Sequence, residues 1–251
     1  MLRVEEVTKT FGGVKAVDRC SLHVAEGSIT GLIGPNGAGK TTLFDIISGF
    51  YRPDSGRIYL SERRIDSLAP HRVSSLALCR TFQIVRELKE MTVLENLMLV
   101  PRGQHGERLW YSWLNPSGVR SQEAAIEKKG SEILEFVELS HVAGQLAKNL
   151  SVGQKKLLEL ARALMAEPKI ILLDEPAAGV NPALMTKISE KIQTLRDLGG
   201  TFLLIEHDMD LVTRLCDKVV VMDKGRNLTE GDPEQVKKDP RVLEAYLGGH
   251  A

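Results

Sequence analysis

Residues 34–41 read Gly-Pro-Asn-Gly-Ala-Gly-Lys-Thr, and these residue types at this spacing are suited to holding a chain of phosphates. The glycines Gly34, Gly37 and Gly39 let backbone N–H groups converge on an anion with no Cβ in the way. Lys40 supplies a point charge for β- and γ-phosphates, and the Thr41 hydroxyl suits an accompanying Mg²⁺. Pro35, Asn36 and Ala38 complete the loop, and Thr42 continues into the segment behind it. The apolar run 29–33 before the loop predicts a strand. Residues 42–47 after it predict a helix whose N-terminus faces the phosphates. A Gly-rich turn matching by chance is the plain alternative, and the strand-loop-helix context weighs against it. The ligand read from these residues is a nucleoside triphosphate.

A second group, Ile170-Ile171-Leu172-Leu173-Asp174-Glu175, places two carboxylates after four apolar residues. Such a run suits a strand buried on both faces. Its carboxyl end is where α/β sheets bind ligands. Successive strand residues point to opposite faces, so the acids are expected to divide the work. Asp174 would serve Mg²⁺, directly or through water, and Glu175 the attacking water. A strand that merely ends in two solvated acids is common; following a phosphate-binding loop, the pair gains weight.

Composition bounds the rest. The chain has 251 residues and is 43% hydrophobic, enough for one large domain or one with a lobe attached. Basic and acidic residues number 33 each, which argues against a general nucleic-acid binder, usually basic. No stretch approaches the ~18 apolar residues of a membrane span. The opening Met1-Leu2-Arg3-Val4-Glu5-Glu6 lacks a signal-peptide pattern. Cys20, Cys79 and Cys216 are widely separated, and ordinary buried thiols in a reducing cytosol are expected.

The elements that must position the chemistry follow from periodicity. Strands are expected at 2–8, 21–24, 28–33 and 57–60. A helix at 92–100 has Thr92 and Glu95 at capping-box spacing. Pro101, Gly103, Gly106, Pro116 and Gly118 predict a long irregular insertion or short broken helices at 101–120. Trp110 and Trp113 fall inside it, either to pack it onto the helical lobe, the favoured reading, or to meet a partner. Further helices are expected at 122–139 and 152–166. From residue 170 strands and helices alternate, with a turn at Lys224-Gly225 and two short helical pieces at 233–238 and 241–247. Alternation of this kind implies a parallel sheet wrapped by helices. The fold class is α/β: a core at 1–84 and 166–251, with a helical lobe inserted at 85–165.

Leu150-Ser151-Val152-Gly153-Gln154 opens one of the lobe helices. Ser151 at a helix N-terminus beside Gly153 makes an anion-binding cap. This string resembles the LSGGQ signature of ATP-binding-cassette (ABC) ATPases, with Val152 in place of the first glycine. The resemblance implies a P-loop NTPase core with a mostly parallel sheet, an N-terminal antiparallel β part and an inserted α-helical lobe. It also implies that Ser151, Gly153 and Gln154 meet the γ-phosphate of ATP held on the P-loop of a second subunit. Phe11 matches the aromatic residue that stacks on adenine. Gln83, in Arg80-Thr81-Phe82-Gln83, matches the Q-loop glutamine that contacts Mg²⁺ and the water. His207, in Ile205-Glu206-His207-Asp208, matches the switch histidine at the γ-phosphate.

Ala177-Ala178-Gly179-Val180-Asn181-Pro182 departs from many members, which have Asp at position 181. That string resembles one branch, together with Met91-Thr92-Val93-Leu94-Glu95-Asn96-Leu97, the insertion at 101–120 and the ending Tyr246-Leu247-Gly248. The branch holds the ATPase subunits of branched-chain (hydrophobic) amino-acid uptake systems and their amide and urea relatives. It implies a cytoplasmic subunit, peripheral on the inner face of the cell membrane, that binds and hydrolyses ATP with Mg²⁺. The subunit would pair as a homodimer, or as a heterodimer with a paralogue, and engage membrane permease subunits through Gln83 and residues 84–88. A solute-binding protein would be an indirect partner, and no nucleic acid is expected. The rivals are a soluble ABC ATPase of a cytosolic assembly pathway, a nucleic-acid-linked ABC protein and a non-hydrolysing regulatory subunit. Intact Lys40, Asp174, Glu175 and His207 argue against the last.

Overall fold

Two kinds of strand occur in this chain, and their burial patterns decide which sheet each joins. Strands β1 (Leu2–Phe11) and β2 (Val14–Val24) alternate, with Leu2, Val4, Val17 and Cys20 buried while Arg3 and Arg19 reach solvent. One wet face and one dry face suit an antiparallel sheet. These two pair with β4 (Ser55–Leu60) and β5 (Arg63–Arg64) in the order β2-β1-β4-β5. Both β1 and β2 run longer than their apolar segments suggested. They meet at a two-residue turn, Gly12-Gly13, whose φ values of 50° and 93° demand glycine.

The second kind is buried at every position: β3 (Ile29–Ile33), β7 (Ile170–Asp174) and β8 (Phe202–Ile205). They lie side by side and parallel in a six-stranded sheet, order β10-β9-β3-β8-β7-β6. Here β6 is Leu78–Arg80, β9 is Lys218–Asp223 and β10 is Arg226–Gly231. Only β10 runs antiparallel, folded back at Lys224-Gly225. In chain order the helices are α1 (Lys40–Ile47), α2 (Pro70–Ser75), α3 (Val93–Met98), α4 (Pro116–Phe136) and α5 (Val152–Met165). They continue with α6 (Pro182–Asp197), α7 (Met209–Leu215), α8 (Pro233–Lys237) and α9 (Pro240–Leu247). No helix among the described residues is long and apolar enough to cross a membrane.

The computed structural model describes residues 1–81, 87–104 and 116–247. It divides into two units. One comprises Met1–Arg80, Lys169–Ala178 and Ile192–Ala251; the other comprises Thr81–Pro168 and Gly179–Lys191. In the first unit, α1 turns Leu43, Phe44, Ile46 and Ile47 inward between the sheets. There they join Val4 and Ile58 of the antiparallel sheet with Leu32, Leu172, Leu203 and Val220 of the parallel one. Burial of an aliphatic or aromatic side chain contributes about 1.5–3 kcal/mol, so this shared core fixes α1, and the loop before it, against both sheets. Cys20 and Cys216 are free and buried, and burial pushes both thiols up to about 12.

The second unit is helical. Helix α3 opens with the expected capping box: the Glu95 N–H donates to Thr92 Oγ1 and the Thr92 N–H to Glu95 Oε2. Helix α4 covers Pro116–Phe136, so 116–120 is regular helix rather than the irregular chain expected. Trp110 and Trp113 lie outside the described residues. Past α4, Glu138 accepts from Lys187 (2.9 Å) and lies 3.0 Å from Lys191, and the two ammonium groups hold its carboxyl down at about 2.

Asn96 of α3 is fully buried. Its amide accepts from the Leu88 N–H (2.9 Å) and donates to Leu88 O (3.1 Å) and Thr92 O (2.9 Å). Asn96→Ala strands the Leu88 amide inside the unit, at a cost of about 2 kcal/mol. Amide exchange through α3 should then quicken by roughly 30-fold. Unchanged protection would show that the Asn96 bonds do not hold this unit.

Candidate active site

The loop between β3 and α1 is pressed against the backbone on two sides. Gly34 has φ 146°, and a Cβ there would lie 2.0 Å from Met222 O. Gly39 has φ 97°, and a Cβ there would lie 2.2 Å from Ala16 O. Gly37, at φ 79°, is exposed with open space around it. The turn after β9 pins the loop from behind, the Gly225 N–H donating to Ala38 O (3.0 Å). Lys40 lies at the start of α1, nearly buried, and its Nζ donates to Gly34 O (2.7 Å) and Pro35 O (3.0 Å). Burial pushes its pKa down, opposed by the negative charges of Glu175 and Asp174. Thr41 is exposed and Thr42 half-buried. The arrangement presents an ammonium and a glycine-lined backbone to an anion at a helix N-terminus.

Glu175 does not continue β7. It adopts φ 49°, a left-handed step, and the strand ends at Asp174. Non-glycine residues rarely occupy that region, and those that do cluster at functional sites. Asp174 is buried, its Oδ2 accepting from Arg80 Nη2 (2.8 Å). Next to β7, β8 ends at Ile205, followed by Glu206 and His207. The Glu206 side chain is fully buried; it accepts from the Ala177 N–H (2.9 Å) and the His207 N–H (3.2 Å). It therefore ties the turn after Glu175 to the backbone that carries His207, whose own side chain is largely exposed. Burial pushes the Glu206 carboxyl above its ordinary 4.5, and Glu175 adds to the rise.

The remaining residues singled out from sequence are placed as follows. Phe11, at the end of β1, is 41% exposed rather than a core residue; it meets Tyr51 edge-on at 5.1 Å, with Lys9 Nζ 5.5 Å from its ring centre. In the second unit, Ser151 caps α5, its Oγ accepting from the Gln154 N–H (3.2 Å). The Gln154 side chain is occupied in that box, accepting from the Ser151 N–H (2.9 Å). A Cβ on Gly153 would run into Leu184. Val152 is 61% exposed beside it. Gln83 lies outside the described residues. Asn181 has a local role unseen in the sequence: its Oδ1 accepts from the Leu184 N–H (2.9 Å) and caps α6. Arg80 and Glu206 were also missed, although a charged residue at the end of a short buried strand was the available signal.

The donors fit a Mg²⁺ ion shared with a nucleotide. Thr41 and Asp174 offer hard oxygens, and no cluster of three or more metal-binding side chains exists among the described residues. Mg²⁺ held by one or two protein oxygens plus phosphates needs no larger cage.

Carboxyl ends of adjacent parallel strands carrying such a loop, two acids and a histidine define a P-loop ATPase site. Residues 17–178 match the ABC transporter family model, and the chain belongs to that family as an ATP-binding subunit. Residues 226–251 match a second model, described as branched-chain amino acid ATP-binding cassette transporter. The chain is 44% identical to a probable branched-chain amino acid transport ATP-binding protein LivG of Archaeoglobus fulgidus, over 99% of this chain and 95% of that one. It is 43% identical to the high-affinity branched-chain amino acid transport ATP-binding protein BraF of Pseudomonas aeruginosa, over 99% and 98%. A crystal structure of the ADP conformation of an ABC transporter cassette superposes with a TM-score of 0.84, at 41% identity over 99% and 98%. The segment matched by the second model adjoins the phosphate loop. A cleft of about 400 Å³ is lined by loop residues 35–38, Asp223-Lys224 and α9 residues Arg241 and Glu244.

The raised Glu206 carboxyl has a signed consequence. A carboxyl that holds its proton more tightly when folded loses stability as pH climbs above 4.5, where the unfolded chain ionises first. Glu206→Gln removes that cost. Its melting temperature relative to the parent chain should rise between pH 4.5 and neutrality and be flat below. A difference independent of pH would show that Glu206 is not held in a proton-favouring site.

Proposed function

We propose that this ATPase powers import of branched-chain or other hydrophobic amino acids through a membrane permease, working from the cytoplasmic face of the membrane. The observation that carries the substrate class is the likeness, over nearly the whole chain, to transport subunits named for branched-chain amino acids. The match of 226–251 to a branched-chain model supports it further. The assembly-ATPase, nucleic-acid and urea or amide readings draw no support of that kind.

In the proposed mechanism two copies, or this chain and a paralogue, face head to tail around two ATP molecules. The loop residues Gly34, Pro35, Asn36, Gly37, Ala38, Gly39, Lys40, Thr41 and Thr42 of one copy hold the phosphates. Ser151, Gly153 and Gln154 of the other cap the γ-phosphate with a helix N-terminus, and Phe11 stacks on the base. Thr41, Asp174 and Gln83 would hold Mg²⁺, which offsets phosphate charge in the transition state. Lys40, an ammonium in a partly desolvated place, stabilises charge spreading over the γ-oxygens. Glu175 takes a proton from the attacking water, while His207 and Gln83 keep that water in line. Closure follows from the affinity of the paired surfaces for ATP, and loss of the bridging phosphate reopens them.

Glu175→Gln keeps the shape and loses the base. Turnover should fall by about a hundredfold or more, while ATP affinity stays within a few-fold. The variant should also elute as a dimer when ATP is present. Normal phosphate release by this variant would remove Glu175 from the catalytic role.

A further inference from the structure

Arg80 sits between two carboxylates that belong to different elements. Its Nη1 lies 2.6 Å from Asp45 Oδ1 of α1, and its Nη2 lies 2.8 Å from Asp174 Oδ2 at the end of β7. The side chain is 10% exposed. Its guanidinium packs on the rings of Phe44 and Phe50, at 5.6 Å and 6.0 Å from their centres. A planar fork held by two anions and two aromatic faces is fixed in place. Among the described residues the buried Arg80 Nε has no hydrogen-bond partner, and charge pairs and stacking hold the group.

This geometry gives Asp174 a permanent cation on one oxygen. Asp174 is even more deeply buried than Arg80, and a buried carboxylate without a partner is costly. An ion arriving at the remaining oxygen meets a carboxylate that is already paired, with a like charge behind it. Attraction to Asp174 and repulsion from Arg80 then act over similar short distances in a medium of low dielectric. We propose that Arg80 is the resident counter-ion of Asp174: it holds the acid in place in the metal-free site and lowers the site's affinity for a divalent cation. The inference rests on the proposed role of Asp174 toward Mg²⁺. Arg80 touches none of the reacting atoms in this scheme and acts through Asp174, as a positioning residue. Its consequence is a site that stays assembled between turnovers and does not grip the cation of its product too tightly.

The test measures Mn²⁺ binding to the full-length protein saturated with ADP, by the loss of the free-ion paramagnetic resonance signal. Arg80→Met and Arg80→Gln both remove the charge, and glutamine retains hydrogen-bond donors if methionine does not fold. Each should tighten Mn²⁺ binding about tenfold or more, with metal-free ADP affinity within twofold of the parent. Arg80→Lys restores a charge and should bind Mn²⁺ close to the parent value. Asp174→Asn should weaken Mn²⁺ about tenfold or more. Unchanged binding in Asp174→Asn would defeat the metal role of Asp174 itself. Weakened binding there, with unchanged or weaker binding in the folded Arg80 variants, would overturn the counter-ion role alone.

Discussion

Backbone packing around Gly34 and Gly39 is the constraint on which the site depends. Carbonyl oxygens of Met222 and Ala16 occupy the places where side chains at these two positions would be. The loop therefore has one path, wedged between the parallel sheet and the start of α1. That path sets the Gly34 and Pro35 carbonyls around Lys40 Nζ, which brings the ammonium into the field of Asp174 and Glu175. Any side chain at Gly34 would have to displace β9, and with it the hairpin whose Gly225 N–H supports Ala38. The demand for bare backbone near an anion is thereby translated into sheet order: β3 must lie next to β9, as it does.

Around this loop the first unit carries alternating charge in a nearly closed space. Lys40, Asp174, Arg80 and Asp45 come from α1, β7 and β6, and each buried charge has an opposite one near it. Such pairing offsets the cost of taking these groups out of water. Glu206 solves the same problem differently, taking two backbone N–H groups in place of a cation. The two solutions have different results. Charge pairing orients Asp174, whereas backbone bonding ties the turn after Glu175 to the backbone of His207.

Local pattern was enough for the loop, the strand of four apolar residues before Asp174, the capping box at Thr92, the Ser151 helix cap, and the Lys224-Gly225 turn. In each case the cause lies within a few residues of the effect. What the sequence left hidden depends on distant partners or on a single backbone angle. Strand alternation was expected to run through Asp174 and Glu175, but the strand ends at Asp174 and Glu175 takes a left-handed φ that no neighbouring residue announces. Arg80 could not be linked to Asp45 and Asp174 without the pairing of β6 with β7. Asn181 looked like a lost charge and proved to be a helix cap. Residues 116–120 were misjudged because Pro116 and Gly118 read as breakers, yet both lie within helix α4.

The proposed role is that of a subunit working on a membrane permease, so the most direct measurement is made on the assembled transporter. The Glu175→Gln chain, tagged and expressed in its source cells, would be captured from gently solubilised membranes with Mg²⁺ and ATP present. Integral membrane permease subunits should be retained with it. Their companion solute-binding protein should then bind leucine, isoleucine or valine. Recovery of soluble partners alone would contradict a role in transport, and a binding protein indifferent to aliphatic amino acids would contradict the proposed cargo.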